Sequence, residues 1–117
     1  MRSWLIAALL LAGCARSDKP LIAGDPENGR LLLRQYGCGA CHRIPGVATA
    51  DGNVGPPLRY AGISVYIAGV LPNTPANMAY WIRSPQRVDP LTAMPDLKVS
   101  EAHAIDMTAY LYTLDGR

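Results

Sequence analysis

The sequence predicts a small all-α domain, in which helices are joined by loops. Three stretches begin with a helix-capping residue and space their apolar residues as a helix does, whereas no stretch alternates apolar and polar residues like a half-buried strand. Residues 43–73 are rich in glycine and proline and are predicted to be mostly loop, with a short helix near residues 64–68. At 117 residues, the chain is expected to form one domain.

The three predicted helices have clear start and stop signals. The first has Asp25 as its cap and ends at Gly37. The second is capped by Thr74 and stops before Pro85, since the residue that precedes a proline disfavours helical geometry. The third starts at Ser100 and carries one continuous apolar face.

The N-terminal segment is predicted to be an export signal rather than part of the domain. Arg2 precedes an apolar run over residues 4–12, which is too short for an ordinary transmembrane helix. The run ends in "LAGC", which resembles the lipobox of bacterial lipoprotein precursors. That resemblance implies that Cys14 is lipidated and becomes the first residue; the alternative is a plain signal peptide.

The lipobox implies three parts: a lipoprotein signal peptide at residues 1–13, a lipidated cysteine and tether at residues 14–24, and a domain at residues 25–117. The protein is then exported and lipid-anchored to a bacterial membrane, facing the periplasm. Ala15 after the cysteine suggests the outer membrane, but the choice between the inner and the outer membrane stays open.

The motif "CGACH" at residues 38–42 carries most of the chemical information. Cys38 and Cys41 could form a disulfide in an exported protein, or a thioredoxin-like redox pair, or part of a zinc site with His103. The pattern Cys-x-x-Cys-His is also the attachment signature of c-type haem. In that reading both thiols become thioethers to the haem vinyl groups, and His42 is held against the iron.

A second iron ligand would distinguish electron transfer from ligand binding or peroxide chemistry. Met78 and Met107 lie on the apolar faces of predicted helices, which favours a place in the core. Met94 lies instead in the loop "DPLTAMPDL", between Pro90 and Pro95, where a stiff loop can aim its thioether at a metal. The sequence therefore favours Met94.

Beyond this motif, the chain resembles class I c-type cytochromes, and in particular the cytochrome c domain fused to subunit II of some haem-copper oxidases. The matching stretches are "CGACH", "GPPL", "LPNTPANMAYWIRSPQ", "TAMP" and "AYLYTL". The resemblance implies a small class I cytochrome c fold, with helices and loops wrapped around one covalent haem c. It implies that Cys38 and Cys41 carry the haem, that His42 is the proximal ligand and that Met94 is the distal one.

The resemblance also implies further contacts with the haem. The Pro56 carbonyl would accept a hydrogen bond from the His42 ring, although a turn proline would occupy the same place. Trp81 and Ile82 would lie against the distal haem face, or be core residues. The Thr92 hydroxyl would reach a propionate, or belong to an exposed loop.

Two helix contacts and one departure complete the resemblance. Gly29 and Tyr110 match the small and aromatic residues at the crossing of the first and last helices. Many relatives carry an arginine for the propionates shortly after "GPxL", whereas here Arg59 is the one basic residue in that region, so the propionate partners stay open.

The expected function is electron transport, by a carrier that exchanges single electrons with a membrane respiratory complex. The expected complex is a terminal oxidase, and service to an oxidase suggests the inner membrane. Such a protein has no substrate of its own and is not an enzyme; it works as a monomer or as a subunit of the complex. The alternatives are an electron-entry subunit of a dehydrogenase or reductase, and a haem peroxidase or sensor with an open distal site. The formal charge of +2, without a basic block, argues against a nucleic-acid partner.

Overall fold

The structure, a computed structural model, describes residues 22–117 and contains both helices and a small sheet. The elements in chain order are α1 (Pro26–Gln35), a 3-10 turn (Cys38–Ala40), β1 (Tyr66–Ile67), β2 (Leu71–Pro72), α2 (Pro75–Arg83), α3 (Pro85–Val88) and α4 (Glu101–Leu111). The predicted signal peptide, Cys14 and most of the tether lie outside the described residues. Within the part that is described, no helix is long and apolar enough to cross a membrane.

The predicted all-α class is wrong, and with it the purely helical fold that the resemblance implied. Helices account for 39% of the described residues, and β1 and β2 form an antiparallel sheet, so the content is mixed. The short helix predicted near residues 64–68 is also wrong, because β1 occupies that place.

The β1–β2 hairpin forms because two residues at its tip adopt left-handed backbone geometry. Ala68 has φ 51° and Gly69 has φ 69°, and the Val70 amide donates to the Ile67 carbonyl at 2.9 Å. Consecutive left-handed residues match the twist of a hairpin. A strand of two residues is too short to show alternation, and alanine is a poor signal for this turn, so the sequence pattern does not predict it.

The three predicted helices are confirmed, and so are their caps. The Asp25 carboxylate accepts hydrogen bonds from the first-turn amides of α1, and Gly37 follows α1 with φ 76°. The hydroxyls of Thr74 and Ser100 accept from amides in the first turns of α2 and α4. The short helix α3 was not predicted, because the sequence indicates its first residue, Pro85, only as the stop for α2.

Helices α1 and α4 pack against each other at a glycine. A Cβ atom on Gly29 would overlap the backbone carbonyl of Asp106, so only glycine permits this close approach. The prediction that Gly29 lies at the crossing of the first and last helices is confirmed. Tyr110, one turn further along α4, donates from its hydroxyl to the Pro45 carbonyl at 2.5 Å and so holds the loop after the 3-10 turn against α4.

Asp106, in the middle of α4, is hydrogen-bonded to the start of α1, and these bonds make the contact sensitive to acid. It accepts from the Asp25 amide at 2.8 Å and from the Asn28 side chain at 2.7 Å, and these bonds lower the pKa of its carboxyl. Because the pKa is lowered on folding, the stabilisation is complete above about pH 4 and is lost as the pH falls through the lowered value.

We therefore expect Asp106→Asn to lower the free energy of unfolding at pH 7 by about 1 kcal/mol or less, since the site is close to solvent. The variant should also lose less stability than the wild type between pH 5 and pH 3, which denaturant unfolding at several pH values measures. Asp51→Asn, at an exposed carboxyl, is the matched control. Parallel pH profiles for wild type and Asp106→Asn would contradict this account.

Candidate cofactor site

One cavity of about 650 Å³ is lined by all eight residues that were predicted to bind the cofactor. Its volume is typical of a site for a sizeable organic ligand. The predicted residues in its wall are Cys38, Cys41, His42, Pro56, Trp81, Ile82, Thr92 and Met94. Residues that are far apart in sequence therefore meet around one space.

The two cysteines reach the cavity from the 3-10 turn that follows α1. The amides of Cys41 and His42 both donate to the Cys38 carbonyl, at 3.2 and 3.0 Å, and this tight turn brings both thiols to the same wall. Both thiols are free in the structure. Burial raises the pKa of the Cys38 thiol, so it stays protonated at neutral pH.

His103, the fourth ligand that a zinc site at the cysteine motif would need, is engaged elsewhere. Its Nδ1 lies 2.8 Å from the Tyr36 hydroxyl, in a contact between α1 and α4, and it is not part of the cavity wall. Among residues 22–117, no group of three or more His, Cys, Asp or Glu side chains could hold a metal ion.

The His42 ring is held in one orientation by its neighbours. Its Nδ1 lies 2.7 Å from the Pro56 carbonyl, which can only accept, so Nδ1 carries a proton. In the neutral imidazole, the free lone pair is then on Nε2. Gly55 packs against the ring, since a Cβ there would lie 2.5 Å from His42 Cε1. The contact that the resemblance implied for Pro56 is present, and it leaves the imidazole ready to bind a metal through Nε2.

Met94 lies in the cavity wall on the loop between α3 and α4. Its amide donates to the Thr92 hydroxyl at 3.2 Å, and its carbonyl accepts from the Gln86 side chain at 2.7 Å. Met78 and Met107 also border the cavity, but they are 7% and 0% exposed and belong to the hydrophobic core. Met94 is thus the methionine of the wall that is held outside the core.

The remaining predicted residues line the same space in different ways. Trp81 is half-buried and Ile82 is buried, both on α2. The Thr92 hydroxyl accepts a bond within its own loop, so its hydrogen is still available to a ligand in the cavity.

The charges around the cavity bear on the open question of the propionate partners. Arg59 donates to the Gly116 carbonyl at 2.6 Å and stacks over the Tyr60 ring, and it is not part of the wall. Among the described wall residues, Asp89 is the acidic one and none is lysine or arginine. A ligand with carboxylates would therefore place them at the open rim, where water can solvate them.

Sequence reasoning missed two residues that shape the site. The Asn73 amide donates to the carbonyls of Ala61 and Ser64, at 2.9 and 2.7 Å, and its oxygen accepts from the Tyr112 hydroxyl at 2.5 Å. It thereby ties the loop before β1 to the end of α4, beside the cavity. The second missed residue is Gly55, and its one signal in the sequence is that it is the glycine that precedes Pro56.

The donor set fits a covalently attached haem. Two free thiols, one imidazole with an available Nε2 and one thioether border a cavity whose other walls are mainly aliphatic. Such a combination would offer two attachment points and two iron ligands to a haem, in mainly apolar surroundings.

In sequence comparisons, no protein-family model matches this chain, and no curated protein matches it significantly. The assignment of a function to this protein therefore depends on the cavity and on the side chains in its wall.

Proposed function

We propose that this protein is a mono-haem c-type cytochrome, anchored to a bacterial membrane by a lipid, that carries single electrons in a respiratory chain. The observation that carries the proposal is the meeting of Cys38, Cys41, His42 and Met94 in the wall of one apolar cavity. The resemblance to class I c-type cytochromes in these motifs agrees with it.

Each of the four side chains has a distinct task. The haem, when bound, supplies an iron that cycles between the ferrous and ferric states. Cys38 and Cys41 hold the group covalently, so it is not lost at low concentration. His42 presents Nε2, with its ring orientation fixed by the hydrogen bond to the Pro56 carbonyl. Met94 would supply its thioether as the second iron ligand, and a methionine ligand raises the reduction potential.

With His42 and Met94 both bound, no iron position would remain for a small molecule, which favours electron transfer over a peroxidase or sensor. The aliphatic wall reinforces this by excluding water from the ligands. We therefore propose that the protein has no substrate of its own.

The test of this function is a spectroelectrochemical titration of the purified, haem-loaded protein. We expect a single transition with a slope of about 59 mV per decade, as a one-electron couple gives, and no carbon monoxide binding to the reduced form. Rapid carbon monoxide binding by the wild type would favour the sensor or peroxidase alternative.

We further propose that the redox partner is a membrane oxidase or reductase that docks through an uncharged surface. Residues 60–82 contain no Asp, Glu, Lys or Arg. Within this stretch, Ile63, Val65, Tyr66 and Val70 are more than half exposed, and Tyr66 borders the cavity. Tyrosine and aliphatic side chains without charge are typical of the centre of a protein interface. An electron-entry subunit of a dehydrogenase or reductase would show itself instead by stable copurification with its complex.

The proposed lipid anchor would raise the rate at which the protein meets its partner, as charge attraction does in other protein pairs. Loss of Arg2 with the signal leaves a formal charge of +1, one less than the +2 of the full chain, which is too small for long-range steering. The ten residues 15–24 span about 36 Å at most when extended, so the domain would stay close to its membrane. Tethering raises the effective concentration of a partner in the same membrane.

We expect Cys14→Ser to release a haem-loaded protein from the membrane fraction, because the lipidation site is gone. The released form should reduce the partner complex slowly at equal bulk concentration, with a rate that changes less than about twofold between 20 and 150 mM salt. Fractionation and stopped-flow kinetics measure the two effects. A rate that falls steeply over this salt range would show that charge steering matters. A variant that stays in the membrane fraction would contradict the proposed lipid anchor.

A further inference from the structure

We propose that Gln86 is a positioning residue that keeps Met94 in the cavity, an inference that rests on the function proposed above. The Gln86 Nε2 donates to the Met94 carbonyl at 2.7 Å. Gln86 does not border the cavity itself, so it acts through the backbone of Met94.

The need for such a contact follows from the segment in which Met94 lies. Residues 93–99 belong to no helix or strand, and among the described residues none of them makes a backbone–backbone hydrogen bond. The position of this segment is therefore not fixed by secondary structure. A ligand on such a segment can leave a metal easily unless other contacts hold the chain.

Met94 has two hydrogen bonds, and only one of them reaches another element. Its amide bonds to Thr92, two residues away, which shapes the loop but moves with it. Its carbonyl bonds to Gln86 in α3, which is the hydrogen bond that joins Met94 to another element, whereas the segment is next held by the buried Val99, five residues further on.

The Gln86 backbone is itself well fixed. Helix α3 begins at Pro85, which is among the most deeply buried residues, and follows α2 directly. Gln86 is thus one residue from an anchor in the core, while its side chain is exposed and crosses to the loop. The hydrogen bond therefore holds the Met94 backbone at a fixed position relative to the core.

The prediction is that loss of this bond increases the fraction of molecules in which Met94 is away from the iron. A hydrogen bond of ordinary net strength corresponds to a rise of about threefold to tenfold in that fraction. The rate at which excess cyanide binds to the oxidised protein reports it, since cyanide enters when Met94 leaves.

The experiment compares cyanide-binding rates and the red-end sulfur-to-iron absorption band in haem-loaded variants. Gln86→Ala removes the side chain; Gln86→Glu keeps its shape but, when ionised at pH 7, has no N–H to donate. The matched controls are Gln35→Ala and Gln35→Glu, at an exposed glutamine on α1. We expect both Gln86 variants to bind cyanide about threefold to tenfold faster than the wild type, with a weaker band, and both controls to match the wild type.

A wild-type rate in Gln86→Ala and Gln86→Glu would overturn the inference, provided that Met94→Ala binds cyanide rapidly. That result would leave the proposed function intact. A wild-type protein without the sulfur band would overturn both the proposed function and the inference. Thermal unfolding of each holoprotein separates a local effect on Met94 from general destabilisation, which would change the melting temperature without changing the cyanide-binding rate.

Discussion

Replacing Cys38 and Cys41 together by alanine should abolish covalent haem attachment, and either single change should weaken it. The two thiols lie in the wall of the same cavity, on one tight turn, and neither is in a disulfide. Each can therefore form one thioether, and a remaining thioether would still hold part of the haem on a denaturing gel. Haem staining of such a gel, after expression with a haem-attachment system, gives the result directly.

The control for this experiment is Cys14→Ser, which changes the remaining cysteine of the chain. It should keep its covalent haem, because the proposed role of Cys14 is lipidation. Covalent haem that survives the double substitution would contradict the role assigned to the two motif cysteines.

The second large effect is expected at Met94. Met94→Ala should remove the weak sulfur-to-iron band at the red end of the oxidised spectrum and open the iron to carbon monoxide or cyanide. It should also lower the reduction potential, because a methionine ligand raises it. Absorption spectra with and without added ligand, and a redox titration, measure these three changes.

The other two methionines in the cavity wall are the matched controls. Met78 and Met107 are buried in the core, and a change to leucine keeps their volume, so each should cost less than about 1.5 kcal/mol and leave the band in place. If Met94→Ala kept the band while Met78→Leu lost it, the ligand assignment would be wrong.

The helices of this protein could be predicted because their signals are local. Asp25, Thr74 and Ser100 each cap a helix with a side chain that bonds to amides two or three residues ahead. The hairpin could not be predicted in the same way. Its strands have two residues each, which is too short for alternating apolar and polar residues to be seen. Its turn depends on an alanine in left-handed geometry, which is not a typical turn residue.

Some residues of the candidate site could likewise be predicted from the sequence, and others could not. Cys38, Cys41 and His42 form a contiguous motif, and Met94 stands out because two prolines flank its loop, so a sequence can show them. Gln86 contributes through a side-chain bond to a distant carbonyl, which leaves no period or motif in the sequence. Asn73 is of the same kind, since its partners lie in a loop and in the residue that follows α4. Side-chain bonds of this kind, between residues without a shared motif, are found only when the chain is folded.

The central claim, one haem held covalently by Cys38 and Cys41, is tested most directly by the intact mass of the denatured protein. The protein would be expressed with a haem-attachment system and measured under conditions that remove any non-covalent ligand. The account predicts the mass of the mature, lipidated polypeptide plus one haem. The polypeptide mass alone would contradict it, and a mass lower by two hydrogens would show that the two cysteines form a disulfide instead.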